Sequence, residues 1–162
     1  MADLLASHRK LLLECAEEFG TPLYVYEGDK ILSQYKRLVS AFKGVTFSPH
    51  YACKANTNIN ILHLLKDAGC ELDTVSIQEV RLGLHAGFQP ESILYTPNGV
   101  NITEVKEAVE LKVHINIDSI SILEQFGDAY GDKVPVCIRV NPHVVGGGHS
   151  KIQTGHIDSK FG

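Results

Sequence analysis

The sequence predicts an α/β protein built on a parallel (β/α)8 barrel, of which this chain holds about the first five strands. Two observations predict it. Candidate strands begin near Tyr51, Leu72, Ile93, His114 and Pro135, each 21 residues after the last. Helix signals fill every interval between them. Strand and helix alternating at a fixed short period imply parallel strands joined by crossover helices. An open doubly wound sheet satisfies that pattern too, but the short, even period favours the barrel. A closed barrel needs eight strands, and too little chain follows Pro135 for the remaining three. The 162 residues therefore read as about half of a protein.

Each element has its own signal. Leu5, Leu12, Leu13 and Ala16 form one helical stripe in the segment from Leu4 to Phe19, which stops at Gly20-Thr21-Pro22. Leu23-Tyr24-Val25-Tyr26 is aromatic and β-branched and reads as a short strand. Ile31, Leu32, Tyr35, Leu38, Val39 and Phe42 give a second helical face, closed by Gly44. Asn58 opens a helix carrying Ile61, Leu62 and Leu65 and ending at Gly69. Ser76-Ile77-Gln78-Glu79 is a capping box for a helix that ends at Gly87. Asn101 with Glu104 repeats that logic ahead of Val105, Ala108 and Val109, and Asp118 starts a helix with Ile120, Leu123 and Phe126. Pro49 removes a ladder donor, so the first barrel strand starts at His50 or carries a bulge. The tail after Pro142, with Gly146-Gly147-Gly148, reads as a long loop.

Composition excludes several classes. Hydrophobic residues make up 44% and charged residues 21%, a globular balance. The net charge of −4 and the lack of basic runs argue against a dedicated nucleic-acid binder. No apolar run approaches the roughly 20 residues of a spanning helix, and the N-terminus lacks the order of a signal peptide. Cys15, Cys53, Cys70 and Cys137 form no Cys-x-x-Cys pair and read as reduced thiols of a cytoplasmic protein.

In parallel α/β proteins chemistry collects where strands end. Lys54, Asp73, Asn98 and Arg139 all follow strands directly. Lys54, flanked by Tyr51, Ala52, Cys53 and Ala55, is expected in apolar surroundings, where burial favours a neutral amine able to form a Schiff base. The plainer alternative is a snorkelling lysine at a strand end. Spacing alone makes Asp73 a turn residue beside the capping box. Arg139 either pairs with a carboxylate across the rim or holds an anion, and the sequence favours neither. His143, His149 and His156 share one loop, but their spacing matches no common ligand pattern, so no metal site is expected.

Tyr51-Ala52-Cys53-Lys54-Ala55-Asn56 resembles the lysine motif of the fold-type III pyridoxal-phosphate decarboxylases. Further segments agree in order and spacing: Gly20-Thr21-Pro22-Leu23-Tyr24-Val25-Tyr26, Asp73-Thr74-Val75-Ser76 with Glu79, and Asn98-Gly99. Asn116-Ile117-Asp118-Ser119, Arg139-Val140-Asn141-Pro142 and the stretch from Lys151 to Gly162 complete the series. That last stretch is most similar to the diaminopimelate-decarboxylating branch, and the resemblance runs from about Phe19 to Gly162.

The resemblance implies that Lys54 is the Schiff-base lysine for pyridoxal 5'-phosphate, with Ala52, Asp73 and Arg139 at the cofactor. It implies a lyase that removes CO2 from the D-centre of meso-2,6-diaminoheptanedioate and leaves L-lysine, the final step of lysine biosynthesis. It also implies a homodimer with Lys160 in an interface ion pair. Residues 1–44 would form an N-terminal segment whose strand, Leu23 to Tyr26, joins a second, β-rich domain, and residues 45–162 an incomplete barrel. The family's stacking histidine, phosphate loop, ring-facing glutamate, substrate arginine and proton-donor cysteine would follow Gly162, so the isolated chain is expected to be inactive. Two alternatives stand beside this one. One is a related decarboxylase of arginine, ornithine or carboxynorspermidine; the other is a non-catalytic truncated or binding-only relative.

Overall fold

Burial alternates residue by residue along the strands, and that alternation organises the molecule. In the computed structural model, which describes residues 8–144, 146 and 154–162, the strands are β1 (His50–Ala52), β2 (Glu71–Thr74), β3 (Ile93–Tyr95), β4 (His114–Ile117) and β5 (Cys137–Ile138). Leu72, Thr74, Ile93, Tyr95, Ile115 and Ile117 are buried, whereas Asp73, Leu94 and Asn116 between them are only partly so. Successive side chains of a strand point to opposite faces. One face of the sheet is therefore packed and the other is open.

All four ladders are parallel, and the strands lie side by side in chain order. A doubly wound sheet reverses its order at a switch point. The unbroken sequence of neighbours here is the winding of a barrel. Register follows the repeat: His50 faces Glu71, Leu72 faces Ile93, Leu94 faces His114 and Asn116 faces Cys137.

Six helices are described: α1 (Arg9–Phe19), α2 (Gly28–Ala41), α3 (Ile59–Asp67), α4 (Ile77–His85), α5 (Ile102–Glu110) and α6 (Ile120–Tyr130). Val80, Val105, Ala108 and Phe126 from α4, α5 and α6 share one buried cluster with Leu72, Ile93, Tyr95 and Ile115 of the sheet. The expected caps form. Asn58 Oδ1 accepts from the Asn60 N–H at 3.0 Å, and Asn101 Oδ1 accepts from the Thr103 N–H at 2.9 Å. Ser76 Oγ accepts from the Glu79 N–H at 3.2 Å, while Glu79 reaches back one residue further than a standard capping box and accepts from the Val75 N–H. After α3 and α4 the chain turns through Gly69 and Gly87 at φ of +88° and +84°. The corresponding turn after α5 is made by Lys112 at φ +61°, without glycine.

Four expectations need correction. Leu23 to Tyr26 forms no strand: no described strand lies alongside to complete a ladder, and Tyr24 is 90% exposed. Of the two starts that Pro49 left open for β1, the structure takes the one at His50, and the Pro49 carbonyl still accepts from the Glu71 N–H at 3.0 Å. β5 begins at Cys137 rather than Pro135, because a proline opposite His114 has no N–H to give the ladder. The cap of α6 is Ser119, not Asp118, whose carboxylate is engaged elsewhere. Finally, Ile120 is 77% exposed, leaving Phe126 as the buried residue of that helix. The stripes of α1 and α2 bury no residue fully, though Ile31 and Tyr35 of α2 pack on Ile61, Leu65 and Cys70. Leu5 and the Gly147-Gly148 pair lie outside the described residues.

Two glycines inside helices make opposite predictions. A Cβ on Gly83 of α4 would meet Leu72 Cδ2 at 2.5 Å and Ile93 Cδ1 at 3.2 Å, whereas one on Gly127 of α6 would meet nothing within 4 Å. Gly83 lets α4 lie close against β2 and β3. Gly83→Ala should destabilise the fold by about 1–3 kcal/mol through overpacking. Gly127→Ala should stabilise it by roughly 0.5–1 kcal/mol through helix propensity. Urea midpoints of the two variants check both signs.

Candidate active site on the open face of the sheet

The open face carries the polar side chains, and register delivers them at matching heights. Ala52, Asp73 and Leu94 stand opposite one another on β1, β2 and β3. Beyond Ala52 the chain makes one 3-10 turn, Cys53–Ala55. That turn buries Cys53 completely and leaves Lys54 exposed at the rim. The apolar surroundings expected for Lys54 are absent, since Cys53 and not Lys54 rotates into the core. Burial pushes the Cys53 thiol up to about 11, with the Glu79 and Asp73 carboxylates adding to the effect. It stays a neutral thiol beside the lysine.

Asp73 is a strand residue, not the turn residue its spacing suggested. It sits between Leu72 and Thr74 in β2, and its Oδ1 accepts from the Thr96 hydroxyl at 2.8 Å. Arg139 extends the β4–β5 ladder past the end of β5, its N–H donating to the Ile117 carbonyl at 2.8 Å. Its guanidinium meets no carboxylate among the described residues. It lies instead over the Phe161 ring, 4.3 Å from the centroid.

Phe161 arrives there because residues 154–162 fold back across the rim. Asn98 Nδ2 donates both to Asp118 Oδ2 and, at 3.2 Å, to the Lys160 carbonyl. Asn141 Nδ2 donates to the His156 carbonyl at 3.0 Å. Asn98 thereby ties the end of β3 to the segment after β4 and to the returning chain.

These groups enclose a cavity of about 640 Å3, lined among others by Lys54, Asp73, Thr96, Asn116, Arg139 and Lys160. That volume suits a small ligand. Its lining carries the cations Lys54, Arg139 and Lys160 against the single carboxylate of Asp73, a balance that favours an anion. Asn116 Oδ1 is a buried acceptor without a partner among the described residues. Of the residues singled out from sequence, Lys54, Asp73, Asn98, Arg139 and Lys160 come together here. Ala52 lies beside Asp73 in the ladder without lining the cavity. Thr96 was missed, and Asn116 and Phe161, though inside quoted segments, were given no place in the site. Thr96 and Asn116 could have been found from register, but nothing local marks Phe161. Among the described residues no three metal-binding side chains gather, and His149 lies outside them. Nor is any described helix long and apolar enough to cross a membrane.

Comparison with known proteins gives this site a context. The diaminopimelate decarboxylase of Methanothermobacter thermautotrophicus is 42% identical over 152 residues, covering 93% of this chain and 36% of that protein. The crystal structure of the Helicobacter pylori diaminopimelate decarboxylase complexed with L-lysine superposes with a TM-score of 0.79 at 33% identity, over 90% of this chain and 39% of that one. The lysine/ornithine decarboxylase of Vibrio vulnificus complexed with putrescine gives a TM-score of 0.72 at 26% identity, over 80% and 35%. The chain thus spans little more than a third of each relative. The family described as pyridoxal-dependent decarboxylase, pyridoxal binding domain, matches residues 28–162. The donors present fit pyridoxal phosphate, with an amine for its aldehyde, cations for its phosphate and a free buried acceptor in Asn116. From the match, the winding and the donor set together, the chain belongs to the pyridoxal-dependent decarboxylases and carries their pyridoxal-binding domain.

Proposed function

We propose that the protein to which this chain belongs is a carboxy-lyase that converts meso-2,6-diaminoheptanedioate to L-lysine and CO2. The observation that carries the reading is the convergence of Lys54, Asp73 and Arg139 on one cationic cavity at the strand ends. The diaminopimelate decarboxylases support the choice of substrate, being more similar and covering more of this chain than the lysine/ornithine enzyme.

Pyridoxal phosphate, when bound, accepts the electron pair that a departing carboxylate leaves behind. The chain's own residues do the rest. Lys54 supplies the amine that fixes the cofactor, from a turn anchored by buried Cys53. Asp73, held through its Oδ1, keeps a charged oxygen at the cavity near Ala52. Arg139, braced by Phe161, gives the rim a cation for an anionic group. Arg139, Thr154, Lys160 and Phe161 line the rim of that cavity.

The reading extends to the whole protein. It is a cytoplasmic homodimer with its four cysteines reduced. Residues 1–44 contribute Leu23 to Tyr26 to a β-rich second domain, and residues 45–162 form part of the barrel. The exposure of Tyr24 supports a docking role for that segment. Lys160, exposed at the cavity mouth, pairs with a carboxylate of the second subunit.

Three outcomes test this. Borohydride reduction of the full-length holoenzyme should fix a pyridoxyl group on Lys54, and recovery of the label solely on another lysine would refute the assignment. Released CO2 should be greatest with meso-2,6-diaminoheptanedioate in a panel that includes arginine, ornithine and carboxynorspermidine. Preference for one of those three would move the protein to the alternative branch. Lys160→Glu should shift sedimentation of the full-length protein from dimer towards monomer, and an unchanged dimer would remove Lys160 from the interface.

A further inference from the structure

We propose that Thr96 is a positioning residue that aims the Asp73 carboxylate into the cavity. The inference rests on the reading of Asp73 as a cofactor-site residue. Thr96 is the first residue beyond β3, and its backbone is fixed, the N–H donating to the Thr74 carbonyl at 2.7 Å. A β-branched side chain on a fixed backbone has few rotamers. In the one it takes here, its hydroxyl lies 2.8 Å from Asp73 Oδ1. An ionised carboxylate only accepts, so the hydroxyl donates.

The geometry limits what Asp73 can do. One oxygen is occupied by Thr96, and Oδ2 has no hydrogen-bond partner among the described residues. Asp73 and Thr96 line the same cavity as Lys54. A carboxylate free to rotate about its side-chain bonds would offer a ligand several directions. The bond from Thr96 selects one, so a ligand pays less ordering entropy to meet it. A strand-end threonine placed only for its β-propensity would not need its hydroxyl turned onto this acceptor.

A double-mutant cycle in the full-length holoenzyme tests the assignment. The quantity measured is the dissociation constant for pyridoxal phosphate, read from the absorbance of the Lys54-bound cofactor on dilution. Thr96→Val keeps the shape and removes the donor, and should weaken retention about tenfold. Thr96→Ser restores the hydroxyl and should stay within about twofold of the parent. In an Asp73→Ala background, Thr96→Val should add no further loss. Two results overturn the proposal: Thr96→Val retaining cofactor like the parent while Asp73→Ala does not, or Thr96→Val costing as much without Asp73 as with it. Should Asp73→Ala itself leave retention and CO2 release unchanged, the reading of Asp73 fails and the role of Thr96 falls with it.

Discussion

Neighbouring strands of a parallel sheet share one register or they do not pair, and this shared register is the constraint on which the structure depends. Every βα unit here is nearly the same length, so each strand meets the next at an equivalent residue. Because the pleat has a period of two, equivalent residues lie on the same face. Ala52, Asp73, Leu94 and, two residues along, Lys54, Thr96 and Asn116 therefore belong to one surface. An insertion of one residue within a unit would turn the following strand inside out, burying its polar set against the helices and exposing its apolar one.

The packed face makes that register affordable to hold. Leu72, Ile93, Tyr95 and Ile115 form a continuous layer against α4, α5 and α6, and Gly83 brings α4 close to it. The Arg81 guanidinium, bonded through Nε to Glu107 at 2.7 Å, ties α4 to α5 on the outside. The His50–Glu71 pair, 2.9 Å apart, joins β1 to β2 where those strands begin. At the other end the returning segment is secured by Asn98 and by the stacking of Arg139 on Phe161. Both ends of the sheet are thus pinned by polar contacts, while its middle is held by apolar packing.

Much of this was legible in the residues. The repeat located all five strands to within two residues, and Asn58, Ser76 and Asn101 announced their helices because a cap is a local interaction between near neighbours. Lys54 was legible through its motif and its place after a strand. Asp73 was misread because a carboxylate next to a capping box is locally indistinguishable from a turn residue; only its cross-strand neighbours reveal a strand. Lys54 was expected in apolar surroundings because its flanking residues are apolar, but the turn sends Cys53 inward and Lys54 outward. Phe161 was invisible since its contact with Arg139 depends on the chain folding back, which no local pattern encodes. Leu23 to Tyr26 has strand composition but no partner strand among the described residues, and propensity without a ladder does not make a sheet.

The division of the sheet into a packed and an open face bears on how such a protein changes over evolutionary time. Substitutions at Leu72, Ile93 or Tyr95 alter stability first, since those side chains are fully buried. Those at Asp73, Leu94 or Asn116 touch a cavity instead, and can redirect its chemistry while costing the scaffold little. Adjacent residues of one strand thus answer to different selective pressures. A lineage can explore new substrates through every second position of its strands while the alternate positions keep the fold intact.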